Sequence, residues 1–344
     1  MKMISIIPLL GITFCSIAQA QFIIVPNSSI DTDILISQAV DKGEKNIVLA
    51  QGIHFFSGTL RIQANDISIR GEGIVKVKEP FPLLLDLKGN NLNVSLNVDG
   101  ENKLSSVMKL SGSNINVFNS NIKNLYAKNN SSVAILINSN GFFSVRNNFI
   151  NNLYSQPDFK LGNGVGMARA IAIVRRKETI EPIISYISGN NISNIMGEEG
   201  DAITLLSKVG DKYSGINVNV VNNNISNYSR RAIKIQGEDV FVSGNRIKNV
   251  YNQGVNYNCS FAISVYAPKD ITVKNNNIND SVCSAINVLM EEKNASINDV
   301  GNVIIDGNKI NGNKMGFKVG DLKAPSSMLK TGKILFMPKN ENVE

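Results

Sequence analysis

The sequence predicts a right-handed parallel β-helix, and two recurring patterns lead to that prediction. The first is a five-residue run, any residue–Ala–aliphatic–any–aliphatic. It begins at Val133, Arg169, Asp201, Arg231, Phe261 and Ser284, with a weaker copy at Met315. The second pattern follows each copy: an alternating apolar stretch, then Asn, then Ile and often Asn again, as in ISGNNISNI from Ile187. Repeats with a period of about 20 to 50 residues are typical of solenoids.

Each unit of the repeat contains three short predicted strands. Alternating β-branched residues bounded by Asn and Gly are strand and turn signals. The copies begin 23 to 36 residues apart, which is too short for one unit to close a hydrophobic core. Stacked units must therefore share a core. Three strands per coil, stacked in parallel, predict a β-helix from about Ile47 to Val319.

One column of asparagines recurs at the tight corner between two of the strands. Its members are Asn148, Asn190, Asn223, Asn245, Asn276 and Asn308. Asn tolerates the left-handed backbone that a tight corner needs, and its amide has both donors and an acceptor for the coils on either side. We therefore expect an internal asparagine ladder, which gives the abundance of Asn a structural explanation.

The beginning of the chain is typical of an export signal. In residues 1–20, Lys2 supplies a positive charge, an uncharged apolar stretch follows, and the segment ends in Ala18-Gln19-Ala20, a small-residue cleavage site. A membrane anchor needs about twenty apolar residues, and this stretch is shorter. We expect cleavage after Ala20 and a secreted or periplasmic mature protein that starts at Gln21.

The rest of the chain divides into three parts. Residues 21–80 are expected to form an N-terminal cap and the first coils, residues 81–320 the β-helix, and residues 321–344 a C-terminal cap and tail. The amphipathic segment from Asp33 to Lys42 predicts a helix over the open end, where it would block edge-to-edge pairing of strands. The only histidine, His54, is expected to be a surface or cap residue.

Composition limits the classes of function. The 344 residues are 43% hydrophobic and 18% charged, as in globular proteins rather than disordered or membrane proteins. The net charge of +7 favours an acidic partner. No run of Lys and Arg and no basic-aromatic patch stands out, which makes nucleic acid the weakest candidate. We expect a monomer that binds an acidic polysaccharide and neither nucleic acid nor membrane.

Two cysteines, Cys259 and Cys283, follow the export signal in a chain expected to reach an oxidising compartment. Cys259 lies two residues before Phe261, and Cys283 lies one before Ser284. Those two repeat positions belong to adjacent coils, so the sulfur atoms should lie near each other. We therefore expect a disulfide between them.

Charged residues occupy the first position of the run on consecutive coils only at Arg169, Asp201 and Arg231. The flanking copies carry Val133 and Phe261 there. Unpaired charges in an apolar interior cost several kcal/mol each, so we expect the chain to turn a corner at this position and the side chains to emerge at a cleft. Coils stack about 4.8 Å apart, which should place Asp201 between the two arginines.

The predicted cap helix, the strand series ending in ISIRGEG and the coils with an asparagine ladder resemble the pectate-lyase-like β-helix superfamily. The resemblance covers nearly the whole mature chain. It implies binding or cleavage of polysaccharides in a cleft along the first strand of each coil. In size and simplicity the chain is similar to secreted members associated with bacterial exopolysaccharide or biofilm matrix.

Polygalacturonase-like glycosidases of this superfamily carry paired aspartates before such a strand. GDAITL resembles that strand start, with Asp201 at the second aspartate and Gly200 at the first. The other signatures, NTD and Gly-His-Gly, are absent from the sequence. Glu198 and Glu199, in the preceding loop, could supply a second carboxylate for hydrolysis, or they could be solvated loop charges.

The basic residues favour a lyase instead. β-Elimination requires that the carboxylate of a uronate be neutralised and the adjacent proton removed; the resemblance implies Ca²⁺ or Arg for the first task and Arg or Lys for the second. Lys234 or Arg231 is the expected base, since nearby positive charge lowers a Lys pKa. Arg169 and Arg230 are expected to bind substrate carboxylates. Asp201 would orient Arg231, coordinate Ca²⁺, or act as the acid of a hydrolase.

Tyrosines in or beside the same loops and strands have rings that could stack on sugars, and we expect Tyr154, Tyr257 and Tyr266 to bind substrate. The full set is Tyr154, Tyr228, Tyr251, Tyr257 and Tyr266. A lyase acting on an acidic exopolysaccharide is favoured over a hydrolase. The other interpretations are a glycan-binding matrix protein without catalysis, and a structural β-helix in which these charges form a salt-bridge ladder.

Overall fold

The architecture is taken from a computed structural model, which describes residues 20–156, 166–175, 183–209, 212–249, 260–266, 269–279, 284–289, 301–312, 315–319 and 334–336. The expected export signal, the two cysteines Cys259 and Cys283, and Tyr251 and Tyr257 lie outside these residues. The disulfide therefore stays a prediction. Among the described residues, no helix is long and apolar enough to cross a membrane.

The chain winds as a right-handed parallel β-helix with three columns of strands, as the repeat predicts. The first column contains β4 (Leu60–Gln63), β6 (Phe81–Lys88), β8 (Leu104–Gly112), β11 (Ser132–Ser139), β14 (Met167–Arg175), β17 (Glu199–Val209), β21 (Arg231–Gln236), β24 (Phe261–Val265), β27 (Ser284–Val288) and β30 (Met315–Val319). One short strand, β18 (Lys212–Tyr213), pairs antiparallel with β17.

The second and third columns complete each coil. The second contains β1 (Phe22–Ile24), β2 (Asn46–Leu49), β5 (Ser68–Val77), β7 (Leu92–Asp99), β9 (Ile115–Phe118), β12 (Phe143–Arg146), β15 (Ser185–Ser188), β19 (Gly215–Val221), β22 (Glu238–Ser243), β25 (Ile271–Lys274), β28 (Val303–Asp306) and β31 (Ile334–Phe336). The third contains β3 (Ile53–Phe56), the second halves of β5 and β7, and then β10 (Asn121–Lys128), β13 (Phe149–Gln156), β16 (Asn191–Met196), β20 (Asn224–Tyr228), β23 (Arg246–Lys248), β26 (Asn277–Asn279) and β29 (Lys309–Asn311).

The register of the first column confirms the alignment of the repeat. The first-position residues pair across neighbouring strands in the order Val133, Arg169, Asp201, Arg231, Phe261, Ser284 and Met315. A slip of one residue would turn the Ile columns out of the core, so the shared apolar pattern holds this register.

Inward and outward positions follow from that register. The aliphatic residues at the third and fifth positions are fully buried in the core, for example Ile203 and Leu205. The Ala at the second position is also fully buried, as at Ala202 and Ala232, where a larger side chain would overpack the core. Because successive strand residues point to opposite faces, the fourth position faces outward. That column includes Lys234.

The asparagine ladder is confirmed, and the left-handed residue of the corner lies one position earlier than expected. Each ladder Asn is buried, and its amide donates to the Oδ1 atom of the next Asn, at 2.9 Å from Asn190 to Asn223. The same amide also donates to a main-chain carbonyl, which is that of Val145 for Asn190. Positive φ values fall on the preceding residues instead: Asn147, Gly189, Asn222, Gly244, Asn275 and Gly307.

Helix α1 (Thr32–Asp41) caps the first coil, buries Ile36 and Ala39, and ends before Gly43, whose φ is +90°. His54 is fully buried rather than at the surface. Its ring bonds the Thr32 hydroxyl at 3.2 Å and the Ala50 carbonyl at 2.8 Å, which ties the helix to the first coil. At the other end, β31 pairs with β28, so strand structure recurs beyond residue 321, where the sequence pattern fades.

Candidate functional site

Seven polar side chains meet at the first column, where β14, β17 and β21 lie side by side and Tyr266 follows β24. We call them the charge cluster; its members are Arg169, Glu199, Asp201, Arg230, Arg231, Lys234 and Tyr266. The pairing of these strands brings together residues far apart in sequence, and the repeat aligned the central members correctly.

Asp201 and Arg231 form the buried centre of the cluster. Their side chains are 0% and 1% exposed, so they do not emerge at an open cleft as expected. The pair is bidentate: Arg231 donates from Nε to Asp201 Oδ1 at 2.7 Å and from Nη2 to Oδ2 at 3.0 Å. A pair that is both buried and bidentate compensates the desolvation of its two charges. Arg231 also donates from Nη1 to the Tyr266 hydroxyl at 2.6 Å.

Glu199 connects the remaining cations. Its carboxylate lies 2.8 Å from Arg230 and 3.0 Å from Arg231. Two longer contacts reach Arg169 at 3.5 Å and Lys234 at 3.7 Å. Asp201 lies between the two arginines in the order of the strands, as expected. Of these two arginines, only Arg231 forms an ion pair with Asp201, and Arg169 pairs with Glu199. Glu199 is therefore an organiser of the cluster and not a solvated loop charge.

Both carboxylates form ion pairs with cations, and these ion pairs determine the protonation state of Glu199. Burial would raise the pKa of Glu199, but Arg231, Lys234 and Arg230 lower it to about 2. The carboxylate is thus ionised at any ordinary pH. Arg231 shifts the other way: burial alone would lower its pKa, and Asp201, Tyr266 and Glu199 together raise it. The Arg231 guanidinium therefore stays charged and has no capacity to act as a base.

The pKa of Lys234 is shifted in the opposite direction from that of Arg231. Its side chain is 8% exposed, and burial lowers its pKa, with a further decrease caused by Arg231 that Asp201 and Glu199 oppose. The ammonium nitrogen lies 5.4 Å from the centre of the Tyr266 ring, and the Arg231 guanidinium carbon lies 5.7 Å from it. Lys234 is the cation of the cluster for which loss of a proton is made easier.

Several polar atoms in and beside the cluster have no hydrogen-bond partner. They are Arg169 Nε, Thr204 Oγ1, Ser264 Oγ and Asn287 Oδ1, all buried. Thr204, Ser264 and Asn287 share the outward fourth position with Lys234 on consecutive coils. Leaving such groups unpaired costs about 1–3 kcal/mol each. These unsatisfied groups line up beside the charge cluster.

Other expected site residues lie away from the cluster. Glu198 is buried and makes no ion pair among the described residues. Tyr154 lies in the third column and stacks on Tyr126, with ring centres 5.8 Å apart. Tyr228 points inward and is part of the hydrophobic core. Tyr266 is the expected tyrosine that the structure brings into the cluster.

Gly200 explains the missing aspartate of the glycosidase-like strand start. A Cβ atom at this position would lie 2.0 Å from the Ser229 hydroxyl and 2.5 Å from the Ile195 carbonyl. No side chain fits there without movement of the backbone. The carboxylate next to Asp201 is instead Glu199, two residues earlier on the same face of the strand.

The cluster does not fit the Ca²⁺ ion that we considered from sequence. Ca²⁺ takes 6–8 oxygen ligands, mostly from carboxylates and carbonyls, at about 2.3–2.6 Å. Here both Asp201 oxygens accept hydrogen bonds from Arg231, and Glu199 contacts four cations. Among the described residues, no group of three or more His, Cys, Asp or Glu side chains could hold a metal ion.

Comparisons with known proteins agree with the architecture. An alginate lyase from Paenibacillus sp. str. FPU-7 is similar over 87% of this chain and 97% of its own, with a TM-score of 0.52 and 13% identity. A second alginate lyase, solved as a complex, covers 84% of this chain and 61% of its own, with a TM-score of 0.49 and 14% identity. The catalytic domain of an α-1,3-glucanase covers 93% and 68%, with a TM-score of 0.44 and 12% identity.

No family model and no curated protein matches the sequence. At 13% identity the Paenibacillus structure shows that the fold is shared. The parallel β-helix fold that the sequence predicts is thus the fold of this chain.

Proposed function

We propose that the protein is a secreted polysaccharide lyase, which binds a uronate residue of an acidic polysaccharide at the charge cluster and cleaves the adjacent glycosidic bond by β-elimination. The observation that carries the proposal is the charge balance. Three arginines and Lys234 face two carboxylates, which leaves two positive charges in excess when Lys234 is protonated and one when it is the neutral base. A substrate carboxylate would neutralise part of that excess.

Arg169 is the best candidate for binding the carboxylate. Its Nε atom is buried without a partner, and its contact to Glu199 is 3.5 Å long. The guanidinium therefore keeps donors for a planar anion, which Arg binds with two parallel hydrogen bonds. Neutralising the carboxylate makes the proton on the neighbouring carbon more acidic, which is the first requirement of β-elimination.

Lys234 is the proposed base. Its lowered pKa increases the fraction of neutral amine, and a base works best when its pKa lies near the working pH. Arg231, the other expected base, stays cationic between two carboxylates, so its proposed role is to position its neighbours. Asp201 in turn orients Arg231, as one of its expected roles required.

Hydrolysis by Asp201 with Glu199 has less support. A glycosidase needs one carboxylic acid that is protonated at the working pH, which requires a raised pKa. Glu199 has a pKa of about 2, and Asp201 is bonded through both oxygens to Arg231. Glu198, the other expected carboxylate, makes no ion pair with the described part of the cluster.

The experiment uses mature protein from Gln21 and a panel of acidic polysaccharides. The panel includes alginate, since proteins of similar fold are alginate lyases, and mixed polymers that contain uronates. A lyase produces a carbon–carbon double bond conjugated with the carboxylate, which ultraviolet absorbance detects. Lys234→Met should lower the rate by about 10²- to 10⁴-fold. The matched control is Lys208→Met on the neighbouring strand β17, where Lys208 lies over the Tyr213 ring.

Other outcomes identify other functions. New reducing ends without the absorbance would identify a hydrolase and overturn the lyase. Saturable binding without any product would identify a glycan-binding protein. In that case the Asp201–Arg231 pair, buried between adjacent coils, would serve as a structural salt bridge.

A further inference from the structure

Tyr266 lies at the end of a chain of three side chains that runs through the cluster. Asp201 accepts two hydrogen bonds from Arg231, and Arg231 donates a third to the Tyr266 hydroxyl. At 2.6 Å this last bond is short for a neutral acceptor. Because the phenol oxygen accepts from Arg231, its own O–H remains available to donate to another atom.

The ring of Tyr266 is already in contact with cations. Lys234 lies 5.4 Å and the Arg231 guanidinium carbon 5.7 Å from its centre, both within cation–π distance. A sugar that stacked on the ring would compete with these contacts. The expectation that Tyr266 is a stacking platform therefore has little support, while its hydroxyl group is held in place.

We infer that Tyr266 is the catalytic acid that protonates the departing glycosidic oxygen, an inference that rests on the proposed β-elimination. Lys234, as the neutral amine, takes the proton from the carbon next to the carboxylate. The electron pair of that C–H bond forms the new carbon–carbon double bond, and the bond from the neighbouring carbon to the glycosidic oxygen breaks. Tyr266 gives its proton to that oxygen, which leaves as a hydroxyl group.

After this step the enzyme holds a lysine ammonium and a tyrosine phenolate. The phenolate oxygen still accepts a hydrogen bond from the charged Arg231, and the Lys234 ammonium is beside the same ring. Passage of one proton from Lys234 to Tyr266 through solvent restores both groups. The cycle consumes no other reactant. The charged groups around the phenol in the described cluster are Arg231 and Lys234, with Asp201 and Glu199 behind Arg231.

The first test is Tyr266→Phe, which keeps the ring and removes only the hydroxyl. We expect kcat on the polysaccharide to fall by about 10²- to 10⁴-fold, with little change in KM. The alkaline limb of the kcat profile should disappear, since no phenol remains to lose its proton. The matched control is Tyr126→Phe, whose hydroxyl bonds Gln156 outside the cluster; its rate should equal that of the native protein.

The second test separates an acid from a structural tyrosine. A uronate substrate with a nitrophenol leaving group needs no proton donor, so Tyr266→Phe should cleave it at close to the native rate. Equal losses on both substrates, or a polysaccharide rate within threefold of native, would overturn the inference while the lyase itself stands. If native protein forms no unsaturated product, the proposed function fails first. If the Phe variant does not fold, 3-fluorotyrosine at position 266 should shift the alkaline limb to lower pH; an unshifted limb would overturn the assignment.

Discussion

The asparagine ladder and the charge cluster are both built from polar side chains stacked on successive coils and removed from water, yet they differ in how they are satisfied. In the ladder, each amide donates to the next Asn and to a main-chain carbonyl, as Asn223 does to Asn245 and Ile187. The network is neutral and repeats coil after coil. In the cluster, Glu199 contacts four cations, and nearby polar atoms have no partner.

We propose from this difference that the ladder serves the fold and that the charge cluster serves a ligand. The hydrogen bonds of a periodic network are satisfied within the chain, because each coil supplies the acceptor for the side-chain amide of the coil before it. For a group of charges confined to a few coils, with surplus positive charge and unsatisfied atoms beside it, we propose that a ligand from outside the chain supplies the missing partners. The following four predictions test that distinction, in order of decreasing effect.

Asp201→Ala should have the largest effect on stability. It leaves the Arg231 guanidinium buried without its bidentate partner, and breaking one side of a buried pair costs about 3–5 kcal/mol. Urea unfolding followed by circular dichroism measures the change. Replacing both residues, Asp201→Leu with Arg231→Met, should recover much of the loss, since no buried charge is left. A single variant as stable as the native protein would contradict the buried geometry.

Glu199 should make stability depend on acid pH. Its pKa is lowered from 4.5 to about 2 in the folded protein, so the unfolded state binds a proton first. The stabilisation is full above pH 4.5 and is lost as the pH falls toward 2; it amounts to about 3 kcal/mol. Glu199→Gln should flatten the stability curve between these pH values. Asn does not titrate, so Asn223→Ala should keep the native pH dependence.

Asn223→Ala should separate fold from function. The variant leaves the amide of Asn190 without its acceptor in the core, which should lower the free energy of unfolding by about 1–3 kcal/mol. Because the ladder lies at the corner between the second and third columns, the rate of product formation at 25 °C should stay unchanged. A loss of rate in a fully folded variant would show that ladder and cluster are coupled.

Ser264→Ala should have the smallest effect and the opposite sign. The hydroxyl is buried without a partner, so removing it should raise the free energy of unfolding by up to about 1 kcal/mol. If that hydroxyl meets substrate, KM should rise severalfold at the same time. The control is Ser155→Ala, where the lost hydroxyl donates to the Asn130 carbonyl and stability should fall. A destabilised Ser264→Ala variant would mean that the hydroxyl already has a structural partner.

Much of the fold could be predicted from the sequence because the repeat shows the same pattern of apolar residues and Asn in many copies. The Ile columns and the asparagine ladder each recur on several consecutive coils, so one misread copy changes little. The left-handed corner was placed one residue too late, on Asn190 rather than Gly189. The signal was present, since the earlier position holds only Asn or Gly in the ladder coils, the residues that best tolerate positive φ.

The site was predicted only in part, because some of its residues do not recur from coil to coil. Asp201, Arg231 and Lys234 could be aligned through the repeat, but Glu199 lies before the run and has no counterpart on other coils. Its distance of two residues from Asp201 places both on one face of a strand, which was the available signal. The burial of Arg231 could not be predicted, because it depends on how the charges pair in space. Tyr154 lies in the third column, away from the cluster, because chain proximity to a loop does not set the column to which a side chain belongs.

The hydrogen bonds between the side chains of the asparagine ladder all run in one direction along the chain. Each side-chain amide that donates belongs to an earlier coil, and each oxygen that accepts belongs to a later one, from Asn148 to Asn308. If coils form in order from the N-terminus, the last coil formed has a ladder amide whose acceptor lies on the next coil of the chain. A chain that emerges from a membrane pore N-terminus first delivers its segments in this order. The ladder thus suits vectorial folding, in which each finished coil is the template for the one that follows.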